Sequence, residues 1–76
     1  MSDDELEAAL KEFRKQLADS SNRKAFHIFT NKTLDDLLEK RPKTMDELRQ
    51  IHGLGDKKIN EFGEELVGMV RVSTYR

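Results

Sequence analysis

Apolar residues recur along this chain at the spacing of helices. Leu6, Leu10, Phe13 and Leu17 step by four, three and four, which lines one face of a helix. Ser2 followed by Glu5 is a capping-box pattern. Asp3, Asp4 and Glu5 crowd the first turn, where the helix dipole favours negative charge. Asp19-Ser20-Ser21-Asn22 supplies residues that bond their own backbone in turns. A helix over about 3–18 is predicted. Phe26, Ile28 and Phe29 need burial, yet the stretch is short and no second strand accompanies it. It reads as an irregular or single-turn segment. Thr30 or Asn31 then caps a helix over about 31–40, with Leu34, Leu37 and Leu38 inward. Pro42 stops it, because the residue before proline is pushed out of helical geometry.

Thr44 with Glu47 is another capping box and opens a short helix with Met45, Leu48 and Ile51 inward. Gly53 suits the left-handed position just past a helix end. Asp56 is read as the cap of the last helix, over about 56–72, with Ile59, Phe62, Leu66, Met69 and Val70 inward. Gly63 inside it costs about 1 kcal/mol against alanine, which the close approach of a neighbouring helix would explain. The tail Val72–Arg76 is expected to fray. Phe26, Ile28, Phe29 and Leu54 complete the predicted core. The fold class is therefore all-α: a compact bundle of four to five helices with a helix-hairpin-helix-like Gly-Leu-Gly turn.

With 76 residues, the chain is one domain, 1–76, whose core runs over about 6–70. It contains no cysteine, hence no disulfide framework and no thiolate metal site. No apolar run approaches membrane-spanning length. The formal net charge is −1, but its distribution is uneven. Residues 1–22 carry six acids and three bases, 23–43 carry six bases and three acids, and 44–65 return to six acids and three bases. A basic middle thus sits between acidic flanks.

Catalytic chemistry finds no support. Ser20, Ser21 and Ser73 lack a nucleophile-elbow context. His27 and His52 have no metal-ligand spacing to a partner. A bundle this small can hardly build the cleft that would separate the pKa values of paired carboxylates. No phosphate-binding loop of the Gly-x-x-x-x-Gly-Lys-Ser/Thr type is present. No catalytic residue, metal site or cofactor is assigned to this domain.

Ile51-His52-Gly53-Leu54-Gly55-Asp56-Lys57-Lys58-Ile59 carries the main signal. Glycines at 53 and 55 allow a sharp turn and close approach of backbone amides to a ligand, while Leu54 anchors the turn in the core. The next helix begins at once, so its unpaired amides face the same point, and Lys57 and Lys58 add charge. A nucleic-acid phosphate is the natural guest, positioned without sequence readout. A plain helix–helix turn, with Gly53 serving only as a cap, is the other reading. The second candidate is Arg23-Lys24-Ala25-Phe26, a possible base-stacking aromatic beside cations, with Arg23, Lys24, Lys32, Arg41 and Lys43 as an electropositive rim. Against that, Phe26 is placed in the core.

Leu10-x-x-Phe13-Arg14, Phe26-His27-Ile28-Phe29-Thr30-Asn31-Lys32-Thr33-Leu34, Arg41-Pro42-Lys43-Thr44 and Leu48-x-x-Ile51-x-Gly53-Leu54-Gly55-x-x-Lys58-x-x-x-Phe62-Gly63 together resemble an HRDC domain. That is the helicase-and-RNase-D C-terminal module of RecQ-type DNA helicases and RNase D nucleases. The resemblance runs from about Leu6 to Val70. It implies a non-catalytic, monomeric accessory domain, a C-terminal fragment of a larger RecQ-like helicase. Such a domain would tune the helicase on single-stranded or partly duplex DNA, which it binds weakly, and would contact the parent's other domains. ATP and magnesium are implied only for that parent, and a bacterial cytosol or nucleoid is the implied location. The family's DNA-contacting segment corresponds to Lys24–Phe26. Here Lys24 and Ala25 stand where many members carry prolines, and Phe26 replaces a tyrosine. The acidic flanks support an alternative, a regulatory or protein-interaction domain with little DNA affinity of its own.

Overall fold

A computed structural model describes residues 3–74. Its elements are helices α1 (Asp3–Ser20), α2 (Ala25–Ile28), α3 (Asn31–Lys40), α4 (Met45–Leu48) and α5 (Asp56–Thr74). Ser2 of the first predicted capping box lies outside the described residues, as do Tyr75 and Arg76 of the tail.

Each helix ends where local chemistry ends it. After α1, Asn22 takes the left-handed conformation at φ 56°. The Arg23 amide donates to Ala18 O (2.8 Å) and the Asn22 amide to Asp19 O (3.3 Å). This pair of bonds is a Schellman cap. Thr30 caps α3, its hydroxyl accepting from the Thr33 amide at 3.3 Å. At the other end of α3, Arg41 turns left-handed at φ 45° and its amide bonds Leu37 O at 2.9 Å. Pro42 has no amide to extend the motif. Thr44 Oγ1 accepts from the Glu47 amide at 3.1 Å, while the Glu47 carboxylate accepts from the Lys43 amide at 2.8 Å. The box closes one residue earlier than the usual pattern. Helix α4 is a single turn, and Ile51 is buried in the turn that follows it.

The two long helices, α1 and α5, pack on each other, with α2 and α3 against α1 and α4 against α5. Phe62 sits among the rings, 5.8 Å from Phe13 and 6.3 Å from Phe29 between centroids. The predicted core is buried at Leu6, Leu10, Ile28, Phe29, Leu34, Leu37, Leu48, Ile51, Leu54, Ile59, Phe62, Leu66 and Val70. Phe13, Leu17, Leu38, Met45 and Met69 form its partly buried edge, and Ala18 and Val67 join it. Gly63 earns its place through a close approach: a Cβ there would lie 2.9 Å from Leu48 Cδ2 and 3.1 Å from Met45 Cε.

Two expectations are corrected. Phe26 is not core; it is 56% exposed. In one helical turn, residues two apart point to opposite sides, and Ile28 takes the inward side. Nor do Val72 and Ser73 fray. Helix α5 runs to Thr74, and Ser73 is buried, its hydroxyl donating to Val70 O (2.8 Å) and accepting from Arg41 Nη2 (2.9 Å).

Candidate nucleic-acid interface

The Gly-Leu-Gly turn is built into the bundle by α3. Gly53 is left-handed at φ 84°, and a Cβ there would collide with Thr33 Oγ1. The Thr33 hydroxyl donates to His52 O at 2.7 Å, and Asp36 Oδ2 accepts from the His52 amide at 2.8 Å. Lys40 Nζ reaches both Asp36 (3.3 Å) and Gln50 O (3.4 Å). The His52 amide, foremost, holds the Asp36 carboxyl below its usual range; burial opposes this and Lys40 assists. Leu54 is buried, as its anchoring role requires. The capping position of α5 belongs to Gly55, whose carbonyl accepts from the Ile59 amide at 3.0 Å, and Asp56 is the first helical residue. This corrects the reading of Asp56 as the cap. The space beside Gly55 is open, so a ligand can approach the first-turn amides, which have no intrahelical acceptor.

The basic residues divide into two groups. Arg23 donates from both terminal nitrogens to the Glu61 carboxylate, the Nη1 contact measuring 3.3 Å, and its Nε bonds Ser21 Oγ at 2.8 Å. The hydrogen bonds from Arg23 chiefly depress the Glu61 pKa, with Lys57 and Lys58 adding attraction. Lys57 and Lys58 stand four and three residues before Glu61 on α5, the spacing of one helix face, so their charges act on the carboxylate that Arg23 binds. Lys24 is exposed and holds the position before α2, and Lys32 is exposed in the first turn of α3, next to Thr33 at the hairpin. The exposed Phe26 ring lies 4.4 Å from the His27 ring between centroids, tilted by 59°.

Arg41 and Lys43 lie elsewhere. Arg41 bonds Ser73, and the Lys43 carbonyl accepts from Arg71 Nε at 2.7 Å. These partners stand at the far end of α5 from the hairpin. Glu61 and Ser73 are roughly 18 Å apart at the usual helical rise. Arg41 and Lys43 are therefore set apart from Arg23 and Glu61, and the expected single rim of Arg23, Lys24, Lys32, Arg41 and Lys43 is divided.

Sequence reasoning missed Glu61, Thr33, Asp36 and Arg14. Arg14 secures α2: its Nη1 donates to Phe29 O at 3.1 Å and its guanidinium carbon lies 5.2 Å from the Phe29 ring centroid. Of these, only Thr33 carried a local signal, a polar residue on the inward face marked by Leu34 and Leu37. Among the described residues no group of three or more His, Asp or Glu could hold a metal ion, and no helix is long and apolar enough to cross a membrane.

A family model of the HRDC domain matches residues 3–70. The structure of Deinococcus radiodurans RecQ HRDC domain 3 superposes with a TM-score of 0.90 at 34% identity, covering 97% of both chains. The ATP-dependent DNA helicase RecQ of Haemophilus influenzae is 32% identical over 69 residues, 91% of this chain and 11% of that protein. The ATP-dependent DNA helicase UvrD2 of Mycobacterium bovis is 33% identical over 72 residues, 95% of this chain and 10% of that protein. The chain thus spans about a tenth of the length of these two curated relatives.

Proposed function

Because this chain belongs to the HRDC domain family, we propose that it is a non-catalytic accessory domain that positions a RecQ-like DNA helicase on single-stranded or partly duplex DNA. The helicase activity and its ATP and magnesium belong, on this reading, to other domains of the parent, in a bacterial cytosol or nucleoid. The observation that carries the proposal is the ion pair of Arg23 with Glu61, which brings Arg23 to the turn of α5 that also carries Lys57 and Lys58; the exposed aromatic Phe26 follows Arg23 by three residues. Cations that track a backbone, with a ring for a base to stack on, are what sequence-tolerant single-strand binding requires. The hairpin amides, from Gly53 through Leu54 and Gly55 into α5, offer a further phosphate contact.

With Arg23 held by Glu61, three phosphate contacts, from Lys24, Lys57 and Lys58, give a log–log salt slope of about −2 on single strands. Titration of a labelled oligothymidylate with the 76-residue chain at several salt concentrations tests this. Binding that weakens along that slope supports the reading. No binding at low salt, or binding indifferent to salt, removes it.

A second reading, a regulatory or protein-interaction domain, is favoured by the exposed carboxylates Glu61, Glu64 and Glu65 along α5. Deletion from the parent separates the two. Loss of a DNA tether weakens the parent's DNA affinity, whereas loss of an acidic regulator leaves it unchanged or raises it.

A further inference from the structure

Between α1 and α5 runs a solvent-open apolar groove of about 490 Å3, lined by Ala9 and Phe13 from α1 and by Gly68, Met69 and Val72 from α5, with Glu65 at its rim. Val72 is 58% exposed, and the space where a Cβ of Gly68 would stand is empty. None of the basic residues of the DNA face lines it. Acidic residues border the groove: Glu65 lines it from α5, Glu64 stands one turn before Gly68, and Glu12 stands one turn after Ala9 on α1, all three exposed. Arg71, one turn from Gly68, is turned to the Lys43 carbonyl instead.

We propose that this groove is the docking site for one amphipathic helix of a partner segment, presenting an apolar stripe flanked by lysine or arginine. Two long helices packed side by side leave a trough that a third helix fills by the ordinary ridge-and-groove geometry, with anchors at i, i+3, i+4 and i+7. The carboxylates on both flanks choose the sign of its rim. They also argue against a second copy of this chain, because two-fold pairing sets each patch against itself and would bring Glu12, Glu64 and Glu65 against their own kind. The docking site gives the regulatory reading its surface and rests on that reading. It uses residues apart from the DNA face, so the two can fail separately.

The probes are two labelled 18-residue peptides with leucine at the helical stripe positions and either lysine or glutamate elsewhere. The lysine peptide should bind the chain at least ten times more tightly than the glutamate peptide. Gly68→Leu fills the groove in open space and raises helix propensity, so it should keep the circular dichroism and oligothymidylate affinity of the parent chain. It should weaken the lysine peptide at least tenfold. Val72→Lys, at an exposed position, should give a similar loss by like charge. Lysine-peptide binding that survives both substitutions overturns the proposal. So does equal binding of the glutamate peptide. Self-association of the chain that Gly68→Leu abolishes would assign the groove to a second copy and overturn it as well. Loss of DNA binding with peptide binding intact would sink the DNA reading alone.

Discussion

On the proposed reading, Glu61 occupies the place a phosphate would take. Its carboxylate accepts from both terminal nitrogens of Arg23 and feels Lys57 and Lys58. An arriving phosphate must compete with it for the same three cations. Glu61→Gln keeps the size and removes the charge, so Arg23 becomes available as one more phosphate contact. On a single strand each contact steepens the log–log salt slope by about 0.7, taking it from about −2 to nearly −3. The same relation, taken against a 1 M reference, makes the variant about eightfold tighter at about 0.05 M salt and about threefold tighter at about 0.2 M. Anisotropy of a labelled oligothymidylate at four salt concentrations measures both quantities. Arg23→Ala in the Glu61→Gln background should cancel the gain. Because Arg23 depresses the Glu61 pKa, the wild-type carboxylate stays ionised down to the ordinary carboxylate range near about pH 4, and mild acidification will not mimic the variant. Equal affinity and equal slope in Glu61→Gln and wild type would show that these cations do not meet the phosphates.

Phe26→Ala should weaken single-strand binding about fivefold or more, since a stacked base is worth about 1–3 kcal/mol, and should leave the thermal midpoint in place because the ring is exposed. Lys43→Glu, at the opposite end of α5, should change the same titration by less than about twofold. Gly53→Ala should destabilise the fold by about 2 kcal/mol or more in urea denaturation: the left-handed conformation alone costs about 1–2 kcal/mol, and displacing Thr33 breaks its bond to His52 O. Asp36 has a depressed folded-state pKa, so its contribution is present above its unfolded value, near about 3.9, and is lost as pH falls through the folded one. The urea midpoint of Asp36→Asn should therefore fall less between neutral pH and pH of about 2 than that of wild type.

The features legible in the sequence are those that neighbours along the chain decide. Thr30 and Thr44 cap the helices they precede, Pro42 enforces the end of α3, and Gly53 takes the left-handed turn. Gly63 announced a close neighbour without saying which. What stayed hidden is decided across the fold. In Phe26-His27-Ile28-Phe29 the apolar residues are near equivalent in composition. Only the seating of α2 on α1, fixed by Arg14, determines that Ile28 and Phe29 go in and Phe26 out. Arg23 meets Glu61 across 38 positions and Arg41 meets Ser73 across 32, separations at which no local pattern operates. Hence the basic middle looked like one patch. Folding splits it, because α3 carries Arg41 away from the hairpin that its own first turn supports.

A screened site suits a tethered domain better than a free one. Glu61 cancels one of the three nearby positive charges and occupies Arg23, so the isolated chain should hold DNA weakly. A tether of suitable length supplies an effective concentration in the millimolar range, enough to populate a weak contact. On the proposed reading, a strongly cationic patch in place of Glu61 would hold the strand between steps of a moving helicase, whereas a weak contact releases as readily as it forms. The carboxylate is then a limiter on residence time, and the off-rate of the Glu61→Gln chain, slowed in proportion to its gain in affinity, is where that role would register.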